Sequence, residues 1–154
     1  MNSDSTIGIA PAKTEGDLMQ VLAIQEVVFL EEQGMSMALE NEIVDRDAFH
    51  VLAYRQGHAV GTGRLVVLQE PPPGEEGRWG QVARMAVVRS SRGAGIGKAL
   101  LERLSEEAQR QGLNGLSLHA QVSTQSFYER EGFSVSSEVF YESGMPHVEM
   151  RRGF

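Results

Sequence analysis

The stretch with the clearest chemical meaning is Arg92-Gly93-Ala94-Gly95-Ile96-Gly97-Lys98, set between an apolar, β-branched run and a strongly amphipathic one. Glycines remove side chains, so the backbone there can curl tightly and aim several N–H groups at one point. The helix expected to follow adds the partial positive charge of its N-terminus, and together they suit a pyrophosphate-sized anion. Two familiar phosphate loops fail on spacing. A P-loop needs Gly, four residues, then Gly-Lys-Ser/Thr; counting back from Gly97-Lys98 puts Arg92 at the first glycine, and Ala99 replaces the hydroxyl. A dinucleotide fingerprint needs a small residue three positions after its second glycine, where this chain has Lys98.

The elements that would carry this loop can be read from periodicity. Thr6 to Ala10 reads as a strand, and Asp17 to Glu32 as an amphipathic helix through Leu18, Val21, Leu22, Val28 and Phe29, stopped by Gly34. Met35 to Asp47 is acidic and suggests a second short helix. His50 to Tyr54 and Ala59 to Leu68 flank Gln56-Gly57-His58 in the pattern of a hairpin. Pro71 to Gly77 must be an exposed loop. Trp79 to Val88 is another strand. Ile96 to Gln111 is a helix with Ile96, Leu100, Leu104 and Ala108 on one stripe, a Glu106–Arg110 pair, and Gly112 at its C-terminal cap. Gly115 to Ala120 is a strand, Ser123 to Arg130 a short helix, and Phe133 to Tyr141 and His147 to Arg151 two closing strands. This order predicts a mixed α/β sheet with helices on both faces.

Composition narrows the function. At 154 residues the chain reads as a single domain, 1–154, with 41% hydrophobic and 23% charged residues. A formal charge of −7 argues against a nucleic-acid surface and fits a cationic small substrate. The absence of cysteine excludes disulfides, thiolate metal sites and a cysteine acyl-enzyme. His50, His58, His119 and His147 lack metal-site spacing, so no metal is expected. No basic, apolar leader opens the chain, and no run is long and apolar enough to span a bilayer, so a cytoplasmic location is expected.

Arg92-x-x-Gly95-x-Gly97, preceded by Arg84-Met85-Ala86-Val87 and followed about thirty residues later by Tyr128-x-x-x-Gly132-Phe133, resembles the GNAT superfamily of acetyl-CoA-dependent N-acetyltransferases. Three further segments are similar to its ElaA-like branch: Val28-Phe29-Leu30-Glu31-Glu32-Gln33-Gly34, Leu118-His119-Ala120-Gln121, and Met145-Pro146-His147-Val148-Glu149-Met150-Arg151. Together they cover nearly the whole chain. Gln25 departs from the branch, which usually has arginine four residues before that phenylalanine.

The resemblance implies a GNAT-like splayed sheet and acetyl transfer from acetyl-CoA to a small-molecule or peptide amine, directly and through a ternary complex. Arg92, Gly93, Ala94, Gly95, Ile96, Gly97 and Lys98 would cradle the pyrophosphate. A bulged strand would offer the backbone of Met85, Ala86 and Val87 to the pantetheine arm, with the Val87 N–H as oxyanion donor. Gln121, Phe127 and Tyr128 would complete the coenzyme A site. Tyr128 is the expected general acid, because a phenol near pKa 10 is close in strength to the departing thiol. Glu32, Glu42, His119 and His147 are candidate bases, with Glu32 or His147 preferred; Gln33, His119 and His147 are candidate acceptor contacts. The last strands suggest that a homodimer could extend the sheet. A coenzyme A-binding sensor without catalysis is the main rival, and a phosphate- or nucleotide-binding module is a third reading.

Overall fold

The computed structural model describes residues 6–34 and 48–154; the short helix expected over Met35 to Asp47, and the candidate base Glu42, lie outside them. The chain forms two compact units, one drawn from Met1–Leu65 and Arg84–Leu104, the other from Val66–Ala83 and Ser105–Phe154.

In the first unit, β1 (Ile7–Pro11) runs antiparallel to β2 (Phe49–Arg55), which turns into β3 (His58–Val67). Gln56 and Gly57 make that turn with φ of 54° and 79°, the left-handed pair a tight hairpin requires. β4 (Trp79–Val87) follows in strand order, and the Val88 N–H donates to the Val60 carbonyl at 2.9 Å.

Helix α1 (Glu15–Gln25) starts where Thr14 and Asp17 cap each other: the Asp17 N–H donates to Thr14 Oγ1 at 3.0 Å, and the Thr14 N–H to Asp17 Oδ2 at 3.2 Å. The helix reaches Glu32 as its apolar spacing predicts, but its pitch changes. From Glu26 to Glu32 it is a π-helix, closed by the Gly34 N–H on the Leu30 carbonyl at 3.0 Å.

The two faces of these strands take different helices. Val21, Ile24, Val28 and Phe29 pack in one cluster with Leu52 and Ala86. Leu52 pairs with Thr62, so Gly61 and Gly63 point to the opposite face. There they meet α2 (Ile96–Arg110): a Cβ on Gly61 would lie 3.1 Å from Ile96 and Leu100, and one on Gly63 only 2.9 Å from Leu104. Glycine at both positions is what lets this helix approach the strand. Its stripe Ile96, Leu100, Leu104 and Ala108 is at most 1% exposed.

The C-terminus of α2 is closed by Gly112 at φ 77°, with the Leu113 N–H on the Ala108 carbonyl at 3.0 Å. Arg110 does not pair with Glu106 as expected. Its guanidinium binds Glu107, which is 3% exposed, with Nε at 3.0 Å from Oε1. The less solvated carboxylate wins the contact.

In the second unit, β4 pairs in parallel with β5 (Gly115–Gln121) from Trp79 to Val82, and β5 pairs antiparallel with β8 (Met145–Gly153) along its whole length. Helix α3 (Gln125–Arg130) follows β5 after a 3-10 turn. The single strand expected over Phe133 to Tyr141 is two short ones, β6 (Ser134–Val135) and β7 (Phe140–Glu142), both on β8. The interruption has a local cause. Ser137 Oγ accepts the Glu149 N–H at 2.8 Å, taking a donor a longer ladder would use, while Ser136 Oγ donates to the Glu149 carboxylate at 2.8 Å. Ser143 and Gly144, at φ 52° and 75°, turn β7 directly into β8.

Strand order is therefore β1-β2-β3-β4 in the first unit and β4-β5-β8-β6 in the second, with β7 beside β8. The fold class is mixed α/β: an open, eight-stranded sheet with flanking helices.

Candidate active site

The glycine loop adopts the geometry its residue types suggest. A 3-10 turn over Arg89–Ser91 leads out of β4, Gly93 and Gly95 lie at φ 82° and 81°, and α2 begins at Ile96. The Ala99 N–H donates to the Gly95 carbonyl at 3.1 Å. The N–H groups of Gly95, Ile96, Gly97 and Lys98 precede that bond, so they belong to the set a helix cannot satisfy internally. Fifteen residues of aligned peptide dipoles stand behind them. A Cβ on Gly93 or Gly95 would meet nothing within 4 Å. Glycine is required there by its left-handed backbone.

The side chain of Arg92 is already engaged. Its Nε donates to the Val87 carbonyl at 2.8 Å, and its Nη2 contacts Glu32 Oε1 at 2.7 Å, with Arg89 Nη2 3.8 Å from the same oxygen. Glu32 thus ties the end of the π-helix to the end of β4. In the first unit the sequence-predicted residues Glu32, Val87 and Arg92 come together, with Arg92 as the link.

The backbone of β4 changes character at Arg84, whose φ is 57°. A left-handed non-glycine residue within a strand marks a bulge, and here Arg84 lies two residues after the last pair of the β4–β5 ladder, Val82 with Leu118. The Arg84 guanidinium stacks over Phe29, 5.9 Å from the ring centroid. Because the Val88 N–H faces β3, alternation turns the N–H groups of Met85 and Val87 to the other edge. The Val87 carbonyl on that edge is taken by Arg92, so Val87 can serve a ligand there only through its N–H.

In the second unit, Tyr128 lies in α3 with its ring edge-on to Phe127 at 4.9 Å and to Phe133 at 6.0 Å. The Phe133 N–H closes the helix end on the Tyr128 carbonyl at 3.0 Å. Burial pushes the phenol up to about 12. It therefore carries its proton throughout the neutral and alkaline range in which an amine is nucleophilic.

His119 and His147 both belong to one face built from β5, β8 and β7. His147 pairs with Gln121 on one side and Phe140 on the other. Its ring is 7% exposed, its Nδ1 lies 2.8 Å from the Met145 carbonyl, and it stacks on Phe140 at 6.0 Å between centroids. Phe140 also meets the edge of His119 at 5.1 Å. His119 is the accessible histidine of the two, and its Nδ1 lies 2.9 Å from Glu142 Oε1. Glu142, the last residue of β7 before the Ser143-Gly144 turn, was not among the residues the sequence singled out. Gln33 caps the π-helix through its N–H on the Leu30 carbonyl. Gln25, at the α-to-π junction, is 1% exposed, and among the described residues neither its Oε1 nor its Nε2 has a partner.

This mixed, open sheet with flanking helices is the fold of solved acyltransferases. An acyl-CoA N-acyltransferase from Pseudomonas aeruginosa has this fold with a TM-score of 0.76 at 29% identity, covering 96% of this chain and 99% of its own. The ElaA structure from Escherichia coli aligns with a TM-score of 0.79 at 24% identity over 96% of this chain and 99% of its own. YjcF, an uncharacterized N-acetyltransferase of Bacillus subtilis, is 30% identical over 142 residues, 92% of this chain and 96% of its own. The acetyltransferase (GNAT) domain profile matches residues 18–154. The chain belongs to the GNAT acetyltransferase family. Among the described residues, no helix is long and apolar enough to cross a membrane.

Proposed function

We propose that this protein transfers the acetyl group of acetyl-CoA directly to the amine of a small molecule or peptide. The observation that carries this reading is the loop at Gly93 and Gly95, whose left-handed φ angles of 82° and 81° turn the chain into the start of a 15-residue helix. N–H groups of Gly95 to Lys98 would bind the diphosphate of the coenzyme, and a helix start offers that charge without any arginine contact. Arg92, held by Glu32 and Val87, acts as a brace for the loop rather than as a phosphate ligand.

The thioester supplies an activated carbonyl and a leaving thiolate. Met85 and Val87 would orient the arm through edge N–H groups, and the Val87 N–H would stabilise the oxygen that becomes negative during attack. Tyr128 would give its proton to the sulfur as the C–S bond breaks. Its burial keeps that proton in place, and the chain has no cysteine to form a covalent acyl intermediate. Holding amine and thioester in one productive geometry would supply much of the acceleration.

The test is thiol release from acetyl-CoA across a panel of amines, with coenzyme A binding measured separately by calorimetry. Release that depends on an amine, with formation of the matching acetamide, is the expected result. Tight binding with no turnover on any amine would make the protein a coenzyme A sensor. No binding at all would remove the loop's assigned role.

A further inference from the structure

We propose that Glu142 is a positioning residue that fixes the His119 imidazole as the base toward the acceptor amine; this rests on the amine-acetylation reading above. The starting point is the 2.9 Å contact between His119 Nδ1 and Glu142 Oε1. A carboxylate only accepts hydrogen bonds, so Nδ1 must carry the proton and Nε2 must hold the lone pair. A carboxylate on one nitrogen sets the ring's tautomer and orientation and offsets the charge the ring gains when the other nitrogen takes a proton. Among the described residues, Nε2 has no protein partner.

The fold builds this arrangement with little freedom. His119 stands on β5, fully paired with β8 and opposite Glu149. Glu142 is the last residue of β7, set by the Ser143-Gly144 turn in register with Met145. Phe140, two residues before Glu142 on β7, meets the His119 ring edge-on at 5.1 Å. On the same face, Glu149 opposite His119 is occupied by Arg151 Nη2 at 2.8 Å and by the Ser136 hydroxyl at 2.8 Å. His147 supports the layer from beneath Phe140 and is 7% exposed, whereas the His119 side chain is 38% exposed. Of the two imidazoles, only His119 combines access to solvent with a carboxylate on its second nitrogen.

The step balances as follows. His119 Nε2 takes one proton from the acceptor ammonium and later releases it to solvent. The freed nitrogen lone pair forms the C–N bond, the C–S bond breaks, and the electron pair leaves on sulfur. The second proton lost by nitrogen replaces the one Tyr128 gives to the thiolate. The products are an acetamide, a thiol and one solvent proton.

The experiment compares the wild type with Glu142→Gln and His119→Gln. First, 15N NMR of the His119 ring above neutral pH should find the proton on Nδ1 in the wild type. In Glu142→Gln the new amide can donate to Nδ1, so the proton should move to Nε2. Second, kcat/KM for an alkylamine should fall about a hundredfold in both variants, the lower end of the range for an acid–base group. An arylamine, already unprotonated at neutral pH, should lose less than about threefold by the same reasoning. Coenzyme A affinity should not change.

A wild-type proton on Nε2, or equal losses for both amines, overturns the assignment and leaves the acetylation reading standing. Absence of turnover on every amine, with the Nδ1 tautomer intact, sinks the acetylation reading and the base role with it.

Discussion

Replacing Tyr128 with phenylalanine isolates the proton that the proposed reaction needs at sulfur. The substitution keeps the ring, and with it the edge contacts to Phe127 at 4.9 Å and Phe133 at 6.0 Å, so the helix end should remain packed. Only the hydroxyl goes. Burial raises that phenol to about 12, which makes it a weaker acid than an unperturbed tyrosine. Set against a thiol near 8.5 in water, the gap is roughly 3.5 pKa units, or about 5 kcal/mol against complete proton transfer. That mismatch would disqualify the phenol if the thiolate were solvated. A thiolate held beside the half-buried phenol would lose hydration too, and its own affinity for a proton would rise in the same direction. The donor and acceptor then come back toward balance only while both are buried together.

The expected consequence is a kcat lower by about 10² to 10⁴, or roughly 3 to 5 kcal/mol of barrier, with coenzyme A affinity unchanged within about twofold. The assay that separates protonation from packing varies the leaving group. An acetyl aryl thioester expels a thiolate stable enough to leave without a proton, so the ratio of wild-type to Tyr128→Phe rates should approach one. If that ratio is as large for the aryl donor as for acetyl-CoA, Tyr128 orients the substrate and does not protonate sulfur. If Tyr128→Phe turns over acetyl-CoA at the wild-type rate, the residue leaves the mechanism altogether.

The same phenol makes a prediction for stability: an unfolded tyrosine ionises near pH 10 and the native one near 12, so between these values the unfolded chain has already shed a proton the native state keeps. Stability should therefore fall across that window by up to roughly 2 to 3 kcal/mol, visible as a difference between urea unfolding curves of the wild type and Tyr128→Phe at pH 8 and 11. Equal pH dependence in the two proteins would show that the phenol is solvated in the native state. Gly95→Ala forces an L-residue to φ 81° where its Cβ meets no neighbour, so the cost is backbone strain of about 1 to 2 kcal/mol. Calorimetry should then show coenzyme A binding weakened about fivefold to thirtyfold, whereas unchanged binding would detach the loop from the ligand. Gln25→Met keeps the volume and removes a buried carboxamide that has no hydrogen-bond partner among the described residues, so the ligand-free protein should gain about 1 to 2 kcal/mol and melt several degrees higher. A lower melting temperature would mean that a buried water satisfies the amide.

What could be read in advance divides by the range of the interaction. The Gln56-Gly57 turn, the Gly112 cap and the Gly93–Gly95 loop were legible because a left-handed residue is a local demand, and glycine answers it at that position whatever surrounds it. The α2 stripe was legible because one period places Ile96, Leu100, Leu104 and Ala108 on a single line. The choice of Glu107 over Glu106 by Arg110 was not, since both are within one helical turn and only burial separates them. Nor was the break between β6 and β7, where Ser136 and Ser137 reach a residue 13 and 12 positions away. The candidate site divides in the same way. Its anion loop is a property of consecutive residues, but the partner of His119 lies 23 residues on, across β8, and neither residue type nor spacing marks it. The partner of Glu32 was equally out of reach, since Arg92 meets it at 2.7 Å from 60 positions later. Chemistry that depends on the charge beside a group therefore had to wait for the strand register, since register alone decides which carboxylate meets a guanidinium and which meets an imidazole.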